Sequence, residues 1–230
     1  MRRSGVFWPL SLSLPVLVVL GLLLAVMAGL VQVGTLVYAY ERIGIDRDWL
    51  LALLGLSIVG SAVNLPVARI RGSVLLGPQV VRAYGIRYLV PAVRERRETV
   101  IAVNVGGALV PAGVATFLIA REHLGTRALL AVGIVAAVSL ALARPVKGVG
   151  IVLPGLVPPV VAAITALAIS EPLAPALAYV AGVLGTLIGA DLLNLPRIRK
   201  LGAPVASIGG AGTFDGIFLS GLLAVLIATL

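Results

Sequence analysis

Residues 173–202 read LAPALAYVAGVLGTLIGADLLNLPRIRKLG. From Leu173 to Leu195 the run is apolar, with Asp191 its one charged residue, and it has the length that a helix needs to cross the roughly 30 Å hydrocarbon core of a bilayer. Asn194-Leu195-Pro196 ends it, and Arg197, Arg199 and Lys200 follow. Six other runs share this character: Pro9–Val33, which extends toward Tyr40, Trp49–Leu65, Val100–Ala120, Ala128–Ala143, Val149–Ile169 and Thr213–Leu230. The chain is 60% hydrophobic and 12% charged, where a soluble domain carries about 25% charged residues. The expected fold class is an all-α integral membrane protein, a bundle of about seven transmembrane helices forming a single domain over residues 1–230.

Once these spans are drawn, the basic residues fall on one side. Arg2, Arg3, Arg69, Arg71, Arg82, Arg87, Arg94, Arg96, Arg97, Arg144, Lys147, Arg197, Arg199 and Lys200 make fourteen of the eighteen. The other side has Arg42, Arg47, Arg121 and Arg127 beside Glu41, Asp46, Asp48, Glu122 and Glu171. This is the positive-inside pattern of a multi-pass protein of the cytoplasmic membrane, N-terminus in the cytoplasm and C-terminus outside. The net charge of +9 is thereby topological and calls for no nucleic-acid partner. The first run resembles a secretory signal in its two arginines and its small residues near Ala28. Its apolar stretch exceeds the roughly 7–15 residues of a signal core, so a retained anchor is expected. Residues 72–98 form a basic segment in which Val74, Leu75, Val80, Val81, Tyr84, Tyr88, Leu89 and Val93 alternate with arginines at roughly helical spacing. Two readings fit: an amphipathic helix on the cytoplasmic leaflet, with arginines at anionic headgroups, or a basic loop.

Cysteine is absent and His123 is the single histidine, which removes disulfides, thiolate chemistry and multi-histidine metal sites. No phosphate-binding loop stands out, and neither cofactor nor metal is expected. Serines and threonines lack a His or Lys partner at depth, against a serine peptidase.

The sequence repeats itself. GSAVNLPVARIRG (60–72) parallels GADLLNLPRIRKLG (189–202), matching Asn64-Leu65-Pro66 to Asn194-Leu195-Pro196. NVGGALVPAGVATFL (104–118) parallels SIGGAGTFDGIFLSG (207–221), matching Gly106-Gly107-Ala108 to Gly209-Gly210-Ala211 and Gly113 to Gly216. Both pairs run in the same sense across the membrane, so the repeat is parallel. In this register Asp191 replaces Ser61 and Asp215 replaces Ala112, so only the second copy carries carboxylates at these two places.

An ionisable side chain within a span costs roughly 2.5–3.5 kcal/mol on insertion scales and marks a candidate functional site. Structural roles exist for each: Asp215 in the first turn of its helix, offsetting the dipole, and Asp191 reaching toward Arg197 or Arg199. Asp191 and Asp215 fall at similar depth on sequential antiparallel helices. Two such carboxylates facing one another share a proton, one serving as base toward water and the other as acid toward a carbonyl.

Gly210-Ala211-Gly212-Thr213-Phe214-Asp215-Gly216-Ile217-Phe218 resembles the region around the second catalytic Asp of the GxGD intramembrane aspartyl proteases, the family of presenilin, signal peptide peptidase and the prepilin peptidases. Phe214 stands where the strict motif has glycine. The resemblance implies that Asp191 and Asp215 are a catalytic dyad near the cytoplasmic face. Gly210, Gly212, Thr213, Phe214 and Gly216 would then line the substrate, and a transmembrane peptide would be the substrate. Asn64, Asn104 and Asn194 are read either as interfacial caps or as bonding partners for a substrate backbone, and Pro154 and Pro158 of LPGLVPP as irregular backbone beside the site. Arg144-Pro145-Val146-Lys147-Gly148 serves as a positive-inside anchor or as a headgroup contact. As a whole the chain resembles an uncharacterised family of small prokaryotic multi-pass membrane proteins. A small proton-coupled transporter with a parallel repeat and a non-catalytic membrane scaffold are the alternative functions. Membrane lipids are the expected partners in every case.

Overall fold

Pro66 and Pro196 follow Asn-Leu at the two places where the apolar runs give way to basic residues, and proline, which lacks an N–H and crowds the preceding turn, disfavours an unbroken α-helix there. The first copy passes into a strand here and the second into a short new helix. The computed structural model describes residues 22, 29, 33–71, 79–83, 86–90, 98–146, 150–198, 205–210 and 216–230. The chain divides into Met1–Tyr38 and Ala39–Leu230. In the first unit residues 33–38 are helical, and in the second residues 39–42 form α1; the rest of the proposed first span lies almost wholly outside the described residues.

The second unit is mostly helical. Its elements are α2 (Arg47–Ser61), β1 (Asn64–Arg71), β2 (Gln79–Ala83), β3 (Ile86–Val90), β4 (Glu98–Asn104), a π-helical turn (Val105–Leu109) and α3 (Val110–Arg121). Then come α4 (Gly125–Leu142), β5 (Arg144–Val146), β6 (Gly150–Val152), α5 (Val157–Ile169), a 3₁₀ turn (Glu171–Leu173) and α6 (Ala174–Thr186). A second π-helical turn (Leu187–Asp191), a 3₁₀ turn (Leu192–Asn194), the short α7 (Leu195–Ile198), β7 (Val205–Ile208) and α8 (Gly216–Ala228) complete it.

α6 is the central helix. It is apolar all round and buried along nearly its whole length, packed against α3, α4, α5 and α8. Small residues make the close approach feasible. A Cβ on Gly182 would stand 2.7 Å from the Ser220 carbonyl, one on Gly185 2.5 Å from Val135 Cβ, and one on Gly189 would overlap the Ala136 carbonyl. The outer helices turn large apolar side chains outward: Leu51, Leu56, Ile58 and Val59 on α2, Leu129, Leu130 and Ile134 on α4, Ile164 and Leu167 on α5.

Two expectations are corrected. The chain is not all-α: β1, β4 and β7 form a sheet in the order β1-β4-β7, and β2–β3 and β5–β6 form two antiparallel pairs. Glu98–Asn104, where the third span begins, is rich in β-branched residues and takes the central strand of that sheet. Pro66 sits on edge strand β1 beside a register shift between Pro66 and Ala68, the place where a sheet tolerates a residue that cannot donate. Second, the basic segment 72–98 is not helical where it is described. Gln79–Ala83 pairs with Ile86–Val90, Val80 opposite Leu89 and Val81 opposite Tyr88, so β-branched and aromatic content outweighs helical spacing. The seven expected spans are matched in part. Among the described residues two helical stretches, Gly125–Leu142 and Glu171–Arg197, are long and apolar enough to cross a membrane. Those at Asp48–Ser61, Val105–Arg121, Val157–Ile169 and Gly216–Ala228 are apolar but shorter; the 13 residues of α8 rise only about 20 Å.

All the strands lie at one end of the helices, where α2, α4 and α6 finish and α3, α5 and α8 begin. This end also carries the exposed Arg69, Arg144 and Arg197.

Candidate functional site

The site is built where the two copies of the repeat meet. After α6 the helix widens into the π turn Leu187–Asp191 and then tightens into the 3₁₀ turn Leu192–Asn194. Widening frees backbone carbonyls, and Asn194 takes them up. It is fully buried, its Nδ2 donates to the carbonyls of Gly189 and Ala190, both at 3.0 Å, and its Oδ1 accepts from Arg197 Nη1 at 2.7 Å. Replacing Asn194 by Ala strands both carbonyls and is expected to cost about 1–3 kcal/mol of stability, read as a lowered unfolding midpoint of the purified protein.

Asp191 ends the π turn, half-buried. Its Oδ2 accepts the backbone N–H of Gly209 at 3.1 Å. Gly209 and Gly210 follow β7 with φ of +83° and +76°, a conformation that glycine alone adopts without strain. The Gly-Gly pair of the first copy packs directly on them. A Cβ on Gly107 would overlap the Gly209 carbonyl oxygen, and one on Gly209 would stand 2.5 Å from Ala108 Cβ and 2.7 Å from Ala108 N. The strands that lead into the two motifs pair in parallel, Val100 opposite Val205 through Val103 opposite Ile208.

A polar chain crosses this contact. Asn104, fully buried, donates from Nδ2 to the Ser61 carbonyl at 2.8 Å and to Asn64 Oδ1 at 3.2 Å, while its Oδ1 accepts from Gly107 N at 2.7 Å. Ser207 Oγ lies 2.6 Å from Asn64 Oδ1 and 2.5 Å from the Gly210 carbonyl, its single proton shared between them. Two asparagines of the first copy and a serine of the second therefore tie the Gly-Gly motifs together. The copies are also alike in detail: Gly106 comes against the backbone of Ser61, and Gly209 against the side chain of Asp191. These are the residues that the repeat aligns.

Of the residues singled out from the sequence, Asn64, Asn104, Asp191, Asn194 and Gly210 are in this region. Gly216 is the exposed first residue of α8. Pro154 and buried Pro158 stand at the entry to α5, where the Pro154 carbonyl accepts from Val157 N at 3.1 Å. Asp215, Gly212, Thr213 and Phe214 lie outside the described residues. Ser207 was not singled out. Its signal is in the repeat, where it stands at the position of Asn104.

No curated protein and no solved structure matches the chain, and no comparison lends support to the resemblance of residues 210–218 to the GxGD peptidases. One family model does match. It covers residues 58–227, from the end of α2 almost to the end of α8, and takes in both Gly-Gly motifs and Asp191. The chain belongs to the family described as Protein of unknown function (DUF1614).

Proposed function

We propose that this protein is an intramembrane aspartyl peptidase, crossing the bilayer about seven times with its N-terminus in the cytoplasm, that cleaves membrane-embedded peptides near the cytoplasmic face through Asp191 and Asp215. The observation that carries the reading is the hydrogen bond from Gly209 N–H to Asp191. It ties the one described carboxylate of the polar region to the segment that reaches Asp215 six residues on.

Helix packing supports it. Tyr179 and Val183 lie against Gly221, and Thr186 Oγ1 donates to Ser220 Oγ at 3.1 Å, so late α6 meets early α8 as an antiparallel pair. From that bond Asp191 lies five residues on, and Gly216 four residues back, about 6 Å toward the same end. Asp215 immediately precedes Gly216 in the chain. Outward-facing Leu, Ile and Val on α2, α4 and α5 suit a lipid solvent. The one-sided arginines give the sense of insertion, and the matched Gly-Gly motifs are what a parallel duplication leaves.

In the reaction the ionised carboxylate takes a proton from water as that water attacks the scissile carbonyl, and the protonated one donates to the carbonyl oxygen. The carboxyl that took the proton from water then gives it to the amine nitrogen as the C–N bond breaks, and the other recovers its proton from the gem-diol hydroxyl, which restores the starting pair. The test is cleavage of single-span peptides by the purified protein in liposomes, with cut sites mapped by mass spectrometry. The expected result is cutting within the cytoplasmic third of the span, blocked by hydroxyl-bearing transition-state isosteres. Proton-driven solute uptake without cleavage would overturn this reading in favour of a transporter.

A further inference from the structure

A second feature lies at the opposite ends of α2 and α3. There a cavity of about 450 Å³ is lined by Ile45, Trp49, Leu53, Val114 and Phe117, with Asp46 and Arg121 as its charged residues. Its size falls within the roughly 300–1,000 Å³ of small-molecule sites. Trp49 and Phe117 are among the exposed large apolar side chains, 69% and 54%. Gly113 also lines the cavity and has open space where a Cβ would stand.

Arg121 is held rather than loose. Its Nη1 donates to the Gly44 carbonyl, its Nε lies 3.1 Å from Glu122 Oε1, and the guanidinium stands 5.9 Å from the Phe117 ring centroid. Those contacts use two of its five N–H groups, leaving donors for an anion. Asp46 and Trp49 both line the cavity, a carboxylate and an indole of the kind that suits an ammonium group. The charged residues of the cavity, Arg121 and Asp46, thus match a headgroup that carries both signs above an apolar chain.

We infer that this cavity binds one zwitterionic phospholipid, its phosphate on Arg121, its ammonium on Asp46 and Trp49, and an acyl chain between Trp49, Leu53, Val114 and Phe117. The inference rests on the bilayer reading and not on the aspartates of the site. Release of the chain from membranes by alkaline carbonate would break the bilayer reading, whereas titration with a lysophospholipid bears on the cavity alone.

The experiment uses the full chain in detergent with Trp8→Phe, which leaves Trp49 as its single tryptophan. Lysophosphatidylcholine is titrated while Trp49 emission is followed, with free phosphocholine and a fatty acid as separate arms. The expected result is a saturable blue shift with the lysophospholipid, and neither the headgroup nor the chain alone binding within about tenfold of it. Gly113→Leu should abolish the response. Arg121→Gln should weaken it about tenfold or more, as loss of a hydrogen bond to a charged group does. Asp46→Asn should weaken lysophosphatidylcholine but leave lysophosphatidic acid, which lacks the ammonium, unimpaired. A shift that never saturates, or that Gly113→Leu and Asp46→Asn leave unchanged, overturns the inference. So does a Trp49 emission already that of a buried indole and unmoved by any amphiphile, which would mean that other residues of the chain fill the cavity.

Discussion

Asp191→Asn and Asp215→Asn are each expected to lower peptide cleavage about 100- to 10,000-fold, the range lost when a general acid or base is removed. The reason is division of labour. A dyad needs one carboxylate able to take a proton and a second able to give one, and an amide does neither. Because the two act as a unit, the double variant should be little worse than either single one. The measurement is initial cleavage rate in liposomes at matched protein content. Folding is checked separately by elution volume, since Asn preserves the shape of Asp and its oxygen still accepts from Gly209 N–H. A carrier in which one Asp suffices for exchange would show a different pattern, with partial function in one of the single variants.

The second large effect concerns the contact between the copies. Gly209→Ala should cost about 2–5 kcal/mol of stability. About 1–2 kcal/mol comes from forcing an L-residue to the φ of +83°, and about 1–3 kcal/mol from pressing a methyl group against Ala108, whose Cβ would be 2.5 Å away. The loss is read as a lower unfolding midpoint or reduced recovery of folded protein. Gly113→Ala is the matched control: its Cβ meets open space in α3, so it should be neutral or stabilising by up to about 1 kcal/mol.

Much of the helical layout was legible because apolar runs in this chain are long and nearly free of charge. Leu173–Leu195 is helical almost throughout, and Ala128–Ala143 falls within α4 up to its last residue. What composition could not resolve was where an apolar run changes backbone. Val100–Val103 reads as the start of a span, yet it is the centre of a sheet, because β-branched residues next to a strand partner gain more from a ladder than from one more helical turn. The hairpin at 79–90 was obscured for a related reason. Short segments satisfy helical and alternating patterns about equally, and only long-range pairing decides between them.

The Gly-Gly motifs were visible as repeated letters, but their packing on one another was not, since neither copy signals the strand pairing that brings them together. Asn64 and Asn104 drew attention as interfacial polar residues. That they bridge the copies depends on Ser207, an unremarkable serine until it is set opposite Asn104 in the repeat.

The central claim is that Asp191 and Asp215 face each other, and the absence of cysteine from the chain makes it directly measurable. Cysteines placed at both positions are oxidised in native membranes, with control pairs in which either position is shifted by one residue. A disulfide needs Cα atoms within about 7 Å, and a short bifunctional linker reaches slightly farther. The account predicts efficient cross-linking of the 191–215 pair and little in the controls. Failure to cross-link by oxidation or by linker, with both thiols shown to react with a small maleimide, would contradict it.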